Sequence, residues 1–320
     1  LAGALWVAFA IGVIVAVIRQ PDERTVTNVY RIAAQNYWAG LPLYKDGLHG
    51  FLYPPHSAVA MSAFAALPFR AAEILWRLVG IAALFVGVIR LFDHFVVDRW
   101  PERFYSIDQP VVDIEVGPRR WNWLVLPMSV VAVVTAAGAA KTGQVNLLMA
   151  GLLIVAAVDL LDGRHWRMSL WLVMLLALKP IVLPMMVIAG VVYPKTRLPL
   201  VVGVLAVFAS AWMSLDWSYA WSQHVAWFEK VTGPAVPDEG TWADIAGLVA
   251  PLTKHFGVEV PRLAFTILRI GSALGCFIAC WLAALHLDRN RAVFCLLSLS
   301  ILWVMLMNPR TEGNTYAVLG

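Results

Sequence analysis

The sequence predicts an all-α fold, a polytopic membrane helical bundle, and three observations carry that prediction. Of the 320 residues 61% are hydrophobic and 14% charged, and one soluble core cannot hide so much apolar surface. The apolar residues fall in runs long enough to cross a hydrocarbon layer of about 30 Å at 1.5 Å per residue. Between them the arginines and lysines gather in short turns, the pattern of loops retained on the cytoplasmic side. The net charge of +4 and pI near 9.1 therefore describe loops and do not point to a nucleic-acid partner. Cys276, Cys280 and Cys295 form no C-x-x-C pair and read as small core residues.

Residues 1–18 form an unbroken apolar run with no basic flank and no small-residue cleavage site, so they read as a retained span and not a signal peptide. The chain opens on Leu1 and ends at Gly320 after a polar turn, so residues are expected beyond both ends and the helix count is a minimum. Residues 19–70 form a first polar loop, in which Val29, Ile32, Ala33, Asn36 and Tyr37 lie on one helical stripe and predict a helix on the membrane surface. Residues 51–67 are apolar but carry Pro54 and Pro55 at the start and Pro68 just after, which suits a helix that dips and returns. Spans are expected at 71–92, 122–137, 147–161, 198–213, 264–287 and 292–307. The run 168–192 is split by Lys179-Pro180 and Pro184, predicting two helices that meet at a bend. These give about nine transmembrane helices in a single domain, 1–320.

The basic stretches at 93–121, 162–167, 194–197 and 288–291 fall on one side if the Lys179 bend is a crossing point, and that side is assigned to the cytoplasm. The turn at 139–146, the bend, the tryptophan-rich loop 214–263 and the tail from Asn308 then face outward, together with 19–70 if the dip returns.

The stretches YRIAAQNYWAGLPLY, GFLYPPHSAVAMSAFAALPF and KTGQVNLLMAGLLIVAAVDLL, followed by LLALKPIVLPMMVI, resemble glycosyltransferase family 87 of the GT-C superfamily. The shared features here are Tyr30, Gly40, Leu43-Tyr44, Tyr53-Pro54-Pro55, Gly143-Gln144-Val145-Asn146 and Lys179-Pro180, in the family's order over residues 20–200. The resemblance implies a GT-C-like fold and an inverting hexosyltransferase of the bacterial plasma membrane and cell envelope. Its donor would be a polyprenyl-phosphate sugar, typically mannose, and its acceptor a lipid-linked or glycan hydroxyl at the outer face. The family sets an acidic base just before the tyrosine of the surface helix. Here Val26, Thr27 and Asn28 occupy those positions, and the nearest acids are Asp22 and Glu23.

Such a reaction needs a carboxylate to take the acceptor's proton and positive charge where the departing phosphate develops its own. Asp22 or Glu23 supplies the first, with Asp46 in reserve. For the second the candidates are Arg310, whose guanidinium suits a phosphate, intramembrane Lys179 and Lys141. Tyr30, Tyr53, His56, Gln144 and Glu312 are candidate substrate contacts, with His224 a lesser one. Each has a plainer alternative: solvated carboxylates, an interfacial Arg310–Glu312 pair, a lysine snorkelling to the boundary, a structural histidine. Trp212, Trp217, Trp221 and Trp227 read as an interfacial belt before a sugar platform. No metal-ligand spacing, Gly-rich phosphate loop or nucleophile elbow occurs, so no cofactor is expected, although some GT-C enzymes use a divalent metal. A transporter or flippase would also explain broken helices and Lys179, but no matching break appears in the other half; a non-catalytic envelope scaffold would explain the displaced acid.

Overall fold

In the computed structural model, residues 1–20, 25–45, 50–94, 118–214, 216–232, 245–257 and 260–307 are described, and among these the fold is helical without strands. The helices are α1 (Ala2–Arg19), α2 (Thr27–Trp38), α3 (Pro55–Ala60), α4 (Ser62–Ala65), α5 (Phe69–Phe92), α6 (Pro118–Thr142) and α7 (Asn146–Leu161). Then follow α8 (His165–Leu178), α9 (Leu183–Val192), α10 (Arg197–Ser210), α11 (Trp217–Thr232), α12 (Ile245–Phe256), α13 (Arg262–His286) and α14 (Arg289–Met307).

Among the described residues, five helices are long and apolar enough to cross a membrane: α1, α5, α6 from Val125, α13 from Leu263, and α14. The apolar helices α7 and α8 and the stretch Pro180–Val192 are shorter, so the nine spans read from the sequence are not established. At the bundle's centre stands α7, buried along nearly its whole length from Asn146 to Leu161. An apolar helix without a polar face belongs inside, walled by other helices.

The wall nearest α7 is α5, and the two touch through backbone. A β-carbon at Gly151 would lie 2.2 Å from the Ala83 carbonyl carbon, and one at Gly87 would lie 2.8 Å from the Gly151 oxygen. Membrane helices gain little from hydrophobic exclusion between themselves, so small residues that allow this approach set how tightly they pack.

The bundle's two ends differ. At one end Arg90 donates to Asp159 at 2.8 Å, His94 lies 3.3 Å from Asp162, and Arg289 donates to the Leu160 carbonyl at 2.7 Å. Lys195 is close enough to His165, and Arg289 to both His165 and Tyr193, for their charges to be felt there. The turns after α7, α9 and α13 therefore share the basic end, as expected if the chain reverses at Lys179. Burial pushes the pKa of His165 down, with the Arg289 and Lys195 charges acting in the same direction.

The first polar loop gathers at the opposite end. Residues 51–67 do not traverse the bundle: they form α3 and α4, six and four residues long, and both ends of the stretch meet α2. Tyr53 pairs with Tyr30 near its start, and Arg31 Nη1 donates to the Phe64 and Leu67 carbonyls at 3.0 and 2.6 Å near its end. Loop 214–263 departs from the expectation of an open polar connection, because it holds α11 and α12. Asp216 Oδ1 accepts from the Tyr219 amide at 3.0 Å and the Ser218 hydroxyl at 2.9 Å, capping α11 and so starting a helix in that polar sequence. Those bonds, the Tyr219 amide foremost, hold the Asp216 carboxyl below its usual range.

The α5–α7 contact makes a sharp demand. Replacing Gly151 with Ala should lower the folded fraction in detergent far more than Gly12→Ala, whose added carbon meets nothing within 4 Å; overpacking a fitted contact costs about 1–3 kcal/mol. Equal thermal unfolding midpoints for the two variants would contradict this packing.

Candidate active site

The site is built on a buried ion pair that the apolar pattern of α5 conceals. Glu73 and Arg77 are one helical turn apart, 0% and 4% exposed, and Arg77 Nη1 donates to Glu73 Oε2. A charge inside a bundle persists only when its remaining hydrogen-bonding positions are also met. Arg77 Nε donates to the Ala140 carbonyl at 3.0 Å and Nη2 to the Lys141 carbonyl at 3.1 Å, while the Thr25 hydroxyl donates to the Glu73 carboxylate at 2.9 and 3.0 Å. Trp76 Nε1 adds a bond to the Gly143 carbonyl at 2.8 Å, and the Val26 amide donates to Thr142 O at 3.1 Å.

One turn of α5 thus fixes two separate segments: the chain at Thr25, just past Asp22 and Glu23, and the end of α6 with Gly143. Gly143 is required there. It has φ +68, and a β-carbon on it would fall 2.6 Å from Thr27 Oγ1 and 3.1 Å from the Arg77 guanidinium.

Beside this anchor lies a polar group around Lys179. The backbone leaves α8 in an extended conformation at Lys179 and re-enters a 3₁₀ turn at Pro180–Val182, because Pro180 cannot continue the helix. Lys179 Nζ donates to Asn146 Oδ1 at 3.1 Å and stands 6.0 Å over the Tyr53 ring. Asn146 Nδ2 donates to Gln144 Oε1 at 2.6 Å, Tyr53 shares a 3.2 Å hydroxyl contact with Tyr30, and Tyr44 donates to the Tyr53 carbonyl at 2.8 Å. Among the described residues, no carboxylate pairs with Lys179.

The predicted residues therefore divide. Tyr30, Tyr53, Gln144 and Lys179 converge, and Lys141 joins through its carbonyl on Arg77 while its side chain is exposed. His56 is fully enclosed, its ring 5.5 Å from that of Phe208, and no hydrogen bond ties it to Lys179. His224 stacks on Trp212 instead, with centroids 4.9 Å apart. Trp217 and Trp221 are exposed as a belt requires, whereas Trp227 turns in and donates to the Leu52 carbonyl at 3.2 Å. Asp22, Glu23, Asp46, Arg310 and Glu312 lie outside the described residues.

Three residues of this end escaped the sequence reading: Glu73, Arg77 and Asn146. The i, i+4 spacing of opposite charges in a span-length run was the available signal for the first two. Asn146 closed the Gly-Gln-Val-Asn motif without being assigned a role.

An all-helical bundle with several membrane-length helices, carrying a cation and a set of hydroxyls and amides at one end, defines a multi-pass membrane protein with a polar group at that end. The chain matches glycosyltransferase family 87 over residues 51–309. It belongs to that family and is a membrane glycosyltransferase. Neither a curated protein nor a solved structure matches it. The family match begins at the FLYPP stretch and runs through α14, leaving out α2 and reaching well past residue 200, where the resemblance in the sequence ended.

Breaking the anchor should be costly in one direction only. Arg77→Ala strands a buried carboxylate and should destabilise by about 3–5 kcal/mol, while Glu73→Leu with Arg77→Met should recover most of that; thermal unfolding of the purified variants separates the two. A second expectation concerns acid. Burial pushes the His56 imidazole from 6.5 down to about 4, so its neutral ring contributes stability that is complete above pH 6.5 and is lost as pH falls toward 4. By pH 5 the loss is about 2 kcal/mol, and His56→Gln should flatten the fall in unfolding temperature between pH 7 and pH 5.

Proposed function

We propose that this chain transfers a hexose, mannose being the sugar its family resemblance implies, from a polyprenyl-phosphate donor to a lipid-linked or glycan acceptor. The reaction is placed at the outer face of a bacterial plasma membrane, opposite the basic end of the bundle. One observation carries the reading. Lys179 is an ammonium at a helix break, held by an amide and facing phenols, with no carboxylate partner among the described residues. A lysine in that setting costs about 2.5–3.5 kcal/mol on insertion scales unless an anion or water offsets it, and a phosphate at a lipid headgroup is the anion that the family's chemistry brings there.

A carboxylate, Asp22 or Glu23, removes the proton of the acceptor hydroxyl, whose oxygen attacks the anomeric carbon from the face opposite the phosphate. The new glycosidic bond forms as the carbon–oxygen bond to phosphate breaks, the configuration inverts, and polyprenyl phosphate leaves with both electrons of that bond. Lys179, with Lys141 and Arg310, offsets the charge that develops on the leaving oxygen. Tyr30, Tyr53, Gln144 and Glu312 are assigned to hold the sugar and phosphate oxygens. In this reading side-chain cations neutralise the leaving group, and no cofactor is assigned.

Thr25 supports the choice of base. Its hydroxyl is locked to Glu73, so the chain that follows Asp22 and Glu23 is fixed to the same turn of α5 that fixes Lys141. The full chain in lipid nanodiscs, supplied with polyprenyl-phosphate mannose and a lipid acceptor, provides the test. Lys179→Ala should lower kcat/KM by about 100-fold or more, with partial recovery in Lys179→Arg, and one of Asp22→Asn and Glu23→Gln should abolish turnover. Undiminished transfer in Lys179→Ala, or in the double carboxylate variant, would remove this assignment.

A further inference from the structure

His56 and the tryptophan-rich segment, which the Lys179 cluster leaves aside, come together at the same end of the bundle. Four residues from three segments lie in this region: His56 at the start of α3, Trp212 and Ser214 just after α10, and His224 on α11. Each carries a buried polar atom with no hydrogen-bond partner: both ring nitrogens of His56, Trp212 Nε1, Ser214 Oγ and His224 Nε2. The Leu176 carbonyl comes near the His56 ring but outside hydrogen-bonding geometry. Buried polar atoms are almost always satisfied, so five in one region point to a ligand that supplies the missing partners.

The surroundings hold these atoms in place. Tyr37 donates from its hydroxyl to the Ala211 carbonyl at 3.2 Å and accepts from the Ser214 amide at 2.9 Å, which pins the turn after α10 to α2. Trp212 lies between His224, stacked at 4.9 Å with planes 15° apart, and Trp217 at 5.2 Å. His56 abuts Phe208, on the last turn of the helix that leads to Trp212.

What the cluster offers decides the ligand class. Trp212 Nε1 can only donate. His224 Nδ1 sits 2.8 Å from the Ala220 carbonyl, which places the proton of the neutral ring there and leaves Nε2 as an acceptor. Ser214 and neutral His56 each donate and accept. A phosphodiester or an ionised carboxylate, which only accepts, would leave His224 Nε2 unmet, and among the described residues no lysine or arginine hydrogen-bonds any of the four. Hydroxyl groups donate and accept alike, which matches a set that holds a donor, an acceptor and two groups able to do either.

We infer that His56, Trp212, Ser214 and His224 form a subsite for an uncharged, hydroxyl-bearing sugar ring, the carbohydrate end of the acceptor, separate from the cationic position at Lys179. This rests on the transferase reading for the identity of its natural ligand. Tyr53 and His56 are three residues apart in the chain, so both positions depend on the one segment that leads into α3.

Binding can be read without any donor. The full chain in nanodiscs is titrated with methyl α-D-mannopyranoside and followed by saturation-transfer NMR, with inorganic phosphate as a competitor. A saturable signal is expected. Trp212→Phe, which keeps the ring and removes the N–H, and Ser214→Ala should each weaken binding about fivefold to tenfold, and phosphate should not compete. Thermal unfolding identifies any variant that has lost its fold, and Ser214→Ala, the smaller change, then carries the comparison. An unsaturable signal, unchanged affinity in both variants, or displacement by phosphate would overturn the subsite and leave hydration as the explanation of the unpaired atoms. The two proposals fail separately. Sugar transfer with an acceptor KM unmoved by Trp212→Phe removes the subsite alone, and glycoside binding without transfer from any donor removes the transferase chemistry alone.

Discussion

The polar end of this bundle depends on one contact, the buried pairing of Glu73 with Arg77. By itself such a pair contributes little to stability, because desolvation consumes most of the Coulombic gain. Its importance is geometric. A guanidinium has donors in fixed directions, and here they reach the Ala140 and Lys141 carbonyls while the paired carboxylate accepts from Thr25. Two segments more than a hundred residues apart in the chain are thereby brought to one turn of one helix. Apolar packing fixes how close two elements come; bonds to backbone carbonyls also fix which groups face each other.

Much of the architecture was legible in the sequence because it rests on local rules. Pro180 after Lys179 announces a break, Pro54-Pro55 and Pro68 bracket a segment too irregular to span, and the stripe from Val29 to Tyr37 falls on α2. Each depends on residues within a few positions of one another. The role of Arg77 could not be read locally, since what satisfies it is the end of α6, some sixty residues later. The α11 helix was hidden for a different reason: its tryptophans and polar residues suggest an interface loop, and only the Asp216 cap turns that composition into a helix. His56 and Tyr53, neighbours in the chain, looked like members of one site and belong to two groups. A short helix begins between them and sends the two rings to different walls, Tyr53 to Tyr30 and His56 to Phe208.

The small-residue seam between α5 and α7 complements this arrangement. By letting backbone meet backbone at Gly151, it leaves α5 no slack against the central helix, so the anchor on α5 and Asn146 at the start of α7 share one rigid frame. Asn146 in turn holds Lys179. The cation of one group and the ion pair of the other are connected through two helices that cannot shear past each other without a steric clash.

The helices flanking the Lys179 break carry a consequence for the lipid. With 14, 10 and 14 residues, α8, α9 and α10 rise about 21, 15 and 21 Å, against a hydrocarbon layer of about 30 Å. Hydrophobic mismatch of that size is relieved by thinning the leaflet or drawing headgroups and water inward. Thinning of the bilayer along this wall would bring the membrane surface closer to the depth of the Lys179 bend than a full-length span would allow.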